Sequence, residues 1–164
     1  MKKFNWMYRF EVRTAYPGDG KKLARQLRPK DRAELAATHP GQNPGQCLEK
    51  FISVSDVSIC VLYRGKPLLL AGIYRDDTFS TPALVWMLTG KEVDKHPVSF
   101  VKMVSFFLTQ WHAYYGELFN YIDFRYWQAC KLAKKLGAVL EDDGTYYQGK
   151  LFLKCIFRRN LWGE

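Results

Sequence analysis

The segment "TPALVWMLT", residues 81–89, places the strongest constraint on the fold. Its residues are apolar at successive rather than alternate positions. As a strand it must therefore be buried on both faces, which places it inside a sheet covered by helices on each side. The flanking sequence agrees. Upstream, "VSICVLYRGKPLLLAGIYR" has two β-rich arms around the turn "RGKP", the pattern of a hairpin. Downstream, "HPVSFVKMVSFFLTQWHAYYGELF" has Pro97 suited to a first helical turn, then Val101, Val104, Leu108, Trp111 and Tyr115 as a stripe at helical spacing.

The remaining segments complete the order. "FEVRTA" reads as a first strand, stopped by "YPGDG". "DGKKLARQLRPKDRAELAATH" has helical spacing at Leu23, Leu27 and Leu35, and Pro29 splits it into two helices, one ending near Arg28 and one starting between Pro29 and Asp31. "PGQNPGQ" is expected to be a turn, and "CLEKFISVS" a third short helix with Leu48, Phe51 and Ile52 on one face. After the long helix come a strand "NYIDF", a helix "RYWQACKLAKKLG" closed by Gly137, and two strands around "EDDGTYYQG". This order predicts a mixed α/β sheet with helices on both sides. A chain of 164 residues, 48% of them hydrophobic, can bury one core and is short for two, so a single domain over 1–164 is expected.

Composition narrows the function classes. No uncharged apolar run approaches the length of about 18 residues that a membrane span needs. The start "MKKFNWMYRFEVR" interrupts its apolar character at Asn5, Arg9 and Glu11 and so lacks the pattern of a secretory signal. Cys47, Cys60, Cys130 and Cys155 form no CxxC pair and sit in mostly apolar surroundings, which predicts free thiols and no metal site. The formal charge of +9 favours an acidic partner, nucleic acid or an acidic protein surface, but basic runs such as "KKLARQLRPKDR", "KLAKK" and "FRR" are spread along the chain and match no nucleic-acid-binding motif.

The final part, "NYIDFRYWQACKLAKKLGAVLEDD", resembles the last strand–helix unit of the GNAT N-acetyltransferase superfamily, with Leu136, Gly137 and Ala138 at its Leu-Gly-aromatic step. Read in order, "LRPKDRAEL", "SVSDVSICVLYRGKPLLLAGIY", "ALVWMLTG", "LFNYID" and "LAKKLGA" resemble the internal virion protein A family of short-tailed bacteriophages, whose members have a GNAT-like domain, over roughly Val12 to Phe157. The resemblance implies a GNAT-like domain with a central, mostly antiparallel twisted sheet. It also implies a phage protein in the host cytoplasm, or in the virion, with a phage or host protein as partner.

The acetyltransferase resemblance carries chemical requirements. Backbone N–H groups at a helix start must meet the pyrophosphate of acetyl-CoA, and an acid and a base must move protons. The position of the phosphate loop falls on Leu88, Thr89, Gly90, Lys91 and Lys95, where only one glycine of the superfamily's glycine-rich pattern remains. The tyrosine that often serves as acid in the superfamily corresponds to Ala133, and Glu34 is the candidate for the base. His39, His96 and His112 have no partners at motif spacing, and Trp86, Trp111 and Trp127 read as core or interface residues. The leading expectation is a non-catalytic GNAT-like phage protein that acts by binding and uses no cofactor. The alternatives are an active acetyl-CoA-dependent N-acetyltransferase and a cationic protein associated with packaged DNA.

Overall fold

A computed structural model describes residues 8–76 and 82–158. Thr81 of the predicted central strand, residues 1–7 of the basic start and Arg159 of "FRR" lie outside the described residues. The chain forms β1 (Glu11–Thr14), α1 (Asp19–Ala24), α2 (Pro29–Thr38), α3 (Pro44–Val54), β2 (Val57–Tyr63), β3 (Lys66–Tyr74), β4 (Ala83–Thr89), a 3-10 turn (Lys91–Lys95), α4 (Pro97–Tyr115), β5 (Leu118–Asp123), α5 (Trp127–Lys135), β6 (Ala138–Tyr147) and β7 (Lys150–Phe157). The seven strands lie in the order β1-β2-β3-β4-β5-β7-β6. β1–β2, β2–β3, β5–β7 and β6–β7 pair antiparallel, and β4–β5 pairs parallel through Ala83↔Leu118 and Leu84↔Phe119. The fold is mixed α/β, as the element order predicts, with the mostly antiparallel sheet that the resemblance implies.

The chain divides into two compact units, Met1–Tyr74 with Trp86–Val104, and Arg75–Val85 with Ser105–Glu164. In the first, every residue from Pro67 to Ile73 of β3 is buried, so both faces of that strand are covered. One face packs against α1, α2 and α3 through Leu23, Leu35, Cys47 and Leu48, which meet Cys60, Leu62, Leu70, Trp86 and Leu88. Gly20 lets α1 and α3 approach, since a Cβ there would stand 2.8 Å from the Glu49 amide nitrogen. The Glu49 carboxylate accepts from the Gly18 and Lys21 amides at 2.9 and 3.1 Å and so satisfies donors at the start of α1. Arg13 holds the buried Asp19 with two bonds of 2.7 and 3.0 Å, fixing β1 to α1.

In the second unit, β5 pairs with β7 over six residues, from Leu118↔Phe157 to Asp123↔Phe152. α5 covers one face of these strands, where Ala133, Ala138 and Cys155 pack with Ile122, Leu140 and Phe157. Gly137, with φ of 91°, ends that helix as its composition predicts.

Five local expectations change. "PGQNPGQ" is not all turn: Asn43 accepts the Gln46 amide at 3.2 Å and Pro44 opens α3, so the Pro and Asn are helix-start signals. α4 stops at Tyr115 because Gly116 takes a positive φ of 77°, and β5 then begins at Leu118 rather than Asn120. The last hairpin turns at Gln148 and Gly149, with φ of 51° and 72°, while "EDDG" becomes a bulge between Leu140 and Gly144 of β6. α1 ends at Ala24 rather than near Arg28, and of the core and interface readings of Trp127 its 64% exposure removes the first.

Candidate functional site at the end of the fourth strand

β4 delivers its last residues into a place already bounded by two backbone segments. The Gly90 N–H donates to the Leu68 carbonyl at 2.8 Å, and the Lys91 N–H donates to the Gln26 carbonyl at 2.8 Å. The Arg28 N–H donates to the Thr89 carbonyl at 3.0 Å, and Leu27 and Gly90 form an antiparallel bridge. The turn is therefore stitched to residues 26–28 on one side and to the first residues of β3 on the other. A Cβ at Gly90 would lie 3.3 Å from the Gln26 carbonyl oxygen, from Leu23 Cδ1 and from the Leu68 carbonyl oxygen. The glycine serves close packing of the chain against itself.

The side chains reinforce the stitch. Thr89, fully buried, donates from Oγ1 to Asp31 Oδ2 at 2.8 Å, and Arg28 Nε donates to the same oxygen at 2.9 Å. The Arg28 guanidinium also reaches Asp94 Oδ1 at 3.3 Å and lies over the Phe100 ring, 5.7 Å from its centroid. One buried carboxylate and one arginine thus tie α2, the end of β4, the 3-10 turn and the first turn of α4 together. Lys30, half-buried nearby, has its ammonium pKa lowered by burial and by the Arg28 charge, against opposing pulls from Asp31, Asp94 and Glu34.

The five residues expected at the phosphate loop separate into two kinds. Leu88 and Thr89 are buried, and the Gly90 amide is committed to Leu68. Lys91 and Lys95 point to solvent, the second paired with Glu92 at 3.2 Å. Within the turn, the Val93 N–H donates to the Gly90 carbonyl and the His96 N–H to the Val93 carbonyl. The Phe100 N–H takes the His96 carbonyl, so α4 begins properly at Pro97. Proline has no N–H, which leaves the Val98 and Ser99 amides as the first-turn donors without an intrahelical acceptor. An anion would meet those two amides and the positive end of a 19-residue helix, flanked by Lys91 and Lys95.

The other candidates fall elsewhere. Glu34 sits half-buried in the middle of α2, one turn after Lys30, on whose ammonium its charge acts. Ala133 is buried against Cys155 and offers no proton. His39 packs edge-on to Phe51 at 5.1 Å, and His112 Nε2 is 2.8 Å from the Arg158 carbonyl oxygen. His96 lies between Tyr63 and Phe10, at centroid distances of 4.6 and 5.4 Å, with Nε2 3.6 Å from Glu92 Oε1. Among the described residues no three His, Cys, Asp or Glu side chains gather as a metal site would require. The Arg28–Asp31–Thr89 cluster escapes sequence reasoning. Arg28 and Asp31 have the spacing of a helical ion pair, but nothing local announces a threonine 58 positions away.

No family model matches the chain, and no curated protein matches it. Solved structures do. The chain resembles the ribosomal-protein-S5-alanine acetyltransferase of Vibrio fischeri at 13% identity and a TM-score of 0.68, covering 95% of this chain and 96% of that one. It resembles an acetyltransferase of the GNAT family from Streptococcus pneumoniae at 16% identity and a TM-score of 0.60, covering 89% and 97%. It also resembles Ard1 from Thermoplasma volcanium at 13% identity and a TM-score of 0.67, covering 90% and 96%. The fold is GNAT-like. These neighbours overturn the expectation of a non-catalytic phage protein acting by binding, for which none of the comparisons gives support. That expectation weighed the missing glycines as a lost phosphate site, yet a helix whose first turn opens with proline presents amide donors without them.

Proposed function

We propose that the chain is an acetyl-CoA-dependent N-acetyltransferase. The observation that supports this reading is a fold shared along about nine-tenths of both chains with proteins described as acetyltransferases. The residues at the start of α4 fit the anionic part of the group, though by a different route from a glycine-rich loop. The Gly90, Lys91, Val93 and His96 amides are spent on protein carbonyls, so the Val98 and Ser99 amides and the Lys91 and Lys95 side chains would hold phosphate. Acetyl-CoA supplies a thioester whose carbonyl an amine can attack. The chain's own part is to hold that group, to exclude water and to accept a proton from the acceptor amine. Glu34 is the candidate base, and Ala133 means that any acid for the departing thiolate comes from another residue or from water.

Calorimetry with acetyl-CoA and a thiol-release assay across primary amines test the proposal. Binding tighter than about 100 μM, equivalent to roughly 5.5 kcal/mol, together with release of free CoA is expected. Lys91→Ala with Lys95→Ala should raise KM for acetyl-CoA and leave kcat close to wild type, because those lysines would contact only the phosphates. Absence of both binding and thiol release at millimolar acetyl-CoA would refute the reading.

A further inference from the structure

We propose that the second unit carries a docking surface for single-stranded nucleic acid, built from exposed aromatics and cations around the start of α5. It stands apart from acetyl transfer and does not depend on it. Phe124 directly follows β5, and its N–H donates to the Leu151 carbonyl at 2.9 Å, while Leu151 is the register partner of Tyr146. Side chains of partners in an antiparallel ladder point to the same face, so Leu151 and Tyr146 share one, and the Phe124 bond to Leu151 carries the β5–β7 register one step past its last pair, Asp123↔Phe152, onto that face. Phe124 is two residues from Ile122, and Leu151 four from Cys155, so this is the face on which α5 packs. α5 begins three residues later with Trp127.

The three aromatics are turned to water: Phe124 is 58%, Trp127 64% and Tyr146 69% exposed. Aromatic surface displayed in this way costs solvation and stabilises no core. Cations sit beside it. Lys131, one turn along α5, has its ammonium 5.8 Å from the Trp127 ring centroid. Lys134 and Lys135 follow in the last turn, both exposed, and neither joins an ion pair among the described residues. α5 itself, "WQACKLAKK", contains no carboxylate. The Arg125 guanidinium is occupied by the buried Asp123 and is not counted; the acidic groups of the β6 bulge are Glu141, which faces Arg158 at 3.7 Å, and the exposed Asp142 and Asp143.

Flat aromatic plates next to unpaired lysines suit a polyanion that also offers flat faces. Bases stack on exposed rings without regard to sequence, and phosphates meet the lysines. A duplex hides its base faces, and an acidic peptide uses the cations alone. The full chain is therefore titrated, at about 50 mM salt, into a labelled uridine strand of about 20 nucleotides, a duplex of equal length, and polyglutamate. The strand should bind best and weaken as salt rises. Trp127→Ala and Tyr146→Ala should each weaken it about 5- to 150-fold, and Lys134→Gln with Lys135→Gln should flatten the salt dependence. Both aromatic substitutions lie on the surface, and circular dichroism verifies that the variants fold. The proposal is overturned if the strand does not bind, if duplex or polyglutamate binds equally well, or if neither aromatic variant changes affinity.

Discussion

Thr89→Val is the sharpest perturbation of the stitched turn. Valine copies the shape of threonine, so the change opens no cavity and removes only the hydroxyl. That hydroxyl is fully buried and donates to Asp31 Oδ2 at 2.8 Å. Asp31 is itself 7% exposed, so water is poorly placed to replace the donor. A hydrogen bond to a charged, buried acceptor is worth about 1.5–3 kcal/mol. With a shift of about 2–4 °C per kcal/mol for a protein of this size, Tm should fall by roughly 3–12 °C. Urea denaturation followed by circular dichroism gives the same quantity as a lower midpoint at unchanged slope. The Asp31→Asn single variant and the double variant complete a cycle in which the two losses should be non-additive by more than about 0.5 kcal/mol, because the groups share one bond. A Thr89→Val protein within about 0.5 kcal/mol of wild type would refute the claim that this bond holds the turn.

Other outcomes follow from single observations. Gly72→Ala places a Cβ 2.6 Å from the Val57 carbonyl oxygen and 2.8 Å from Trp86 Cζ2, so thermal melts should show a loss of about 1–3 kcal/mol from overpacking. Burial raises the carboxyl pKa values of Asp19 and Asp123, but the bonds from Arg13 and from Arg125 more than offset it and leave both below the usual carboxylate range. A depressed folded pKa stabilises above the unfolded value and loses that contribution as pH falls through the folded one. Stability should therefore decline below pH of about 4, and Asp123→Asn should flatten that acid limb in urea titrations. All four cysteines are buried and outside any disulfide, and burial pushes the Cys60 thiol up to about 12. A colourless-to-yellow thiol reagent should label none of them in the native protein at neutral pH and all four in denaturant.

Much of the architecture was legible because it depends on local periodicity. The unbroken apolar run of β4, the paired arms around Arg64 and Gly65, and the stripe along α4 each specify an element from neighbours a few residues apart. The errors cluster where one residue type has two local meanings. Pro44 reads equally as a turn residue or a helix start, and the Asn43 bond to the Gln46 amide decides it. "EDDGTYYQG" reads as the connection between the last two strands, yet the ladder with β7 runs through most of it, carrying "EDDG" as a bulge and leaving the turn to its last two residues, Gln148 and Gly149.

The candidate site divides along the same line. By itself, the sequence determined that a strand ends at Thr89, that a helix begins at Pro97, and that one glycine and two lysines stand between them. Only the tertiary structure decided where the amides of that turn point. Gly90 and Lys91 donate to Leu68 and Gln26, residues 22 and 65 positions away, while Arg28 and Asp31 clamp Thr89 from another helix. A backbone donor has no sequence signature, because every non-proline residue carries one. Whether it is available to a ligand depends on which distant carbonyl the fold brings to it.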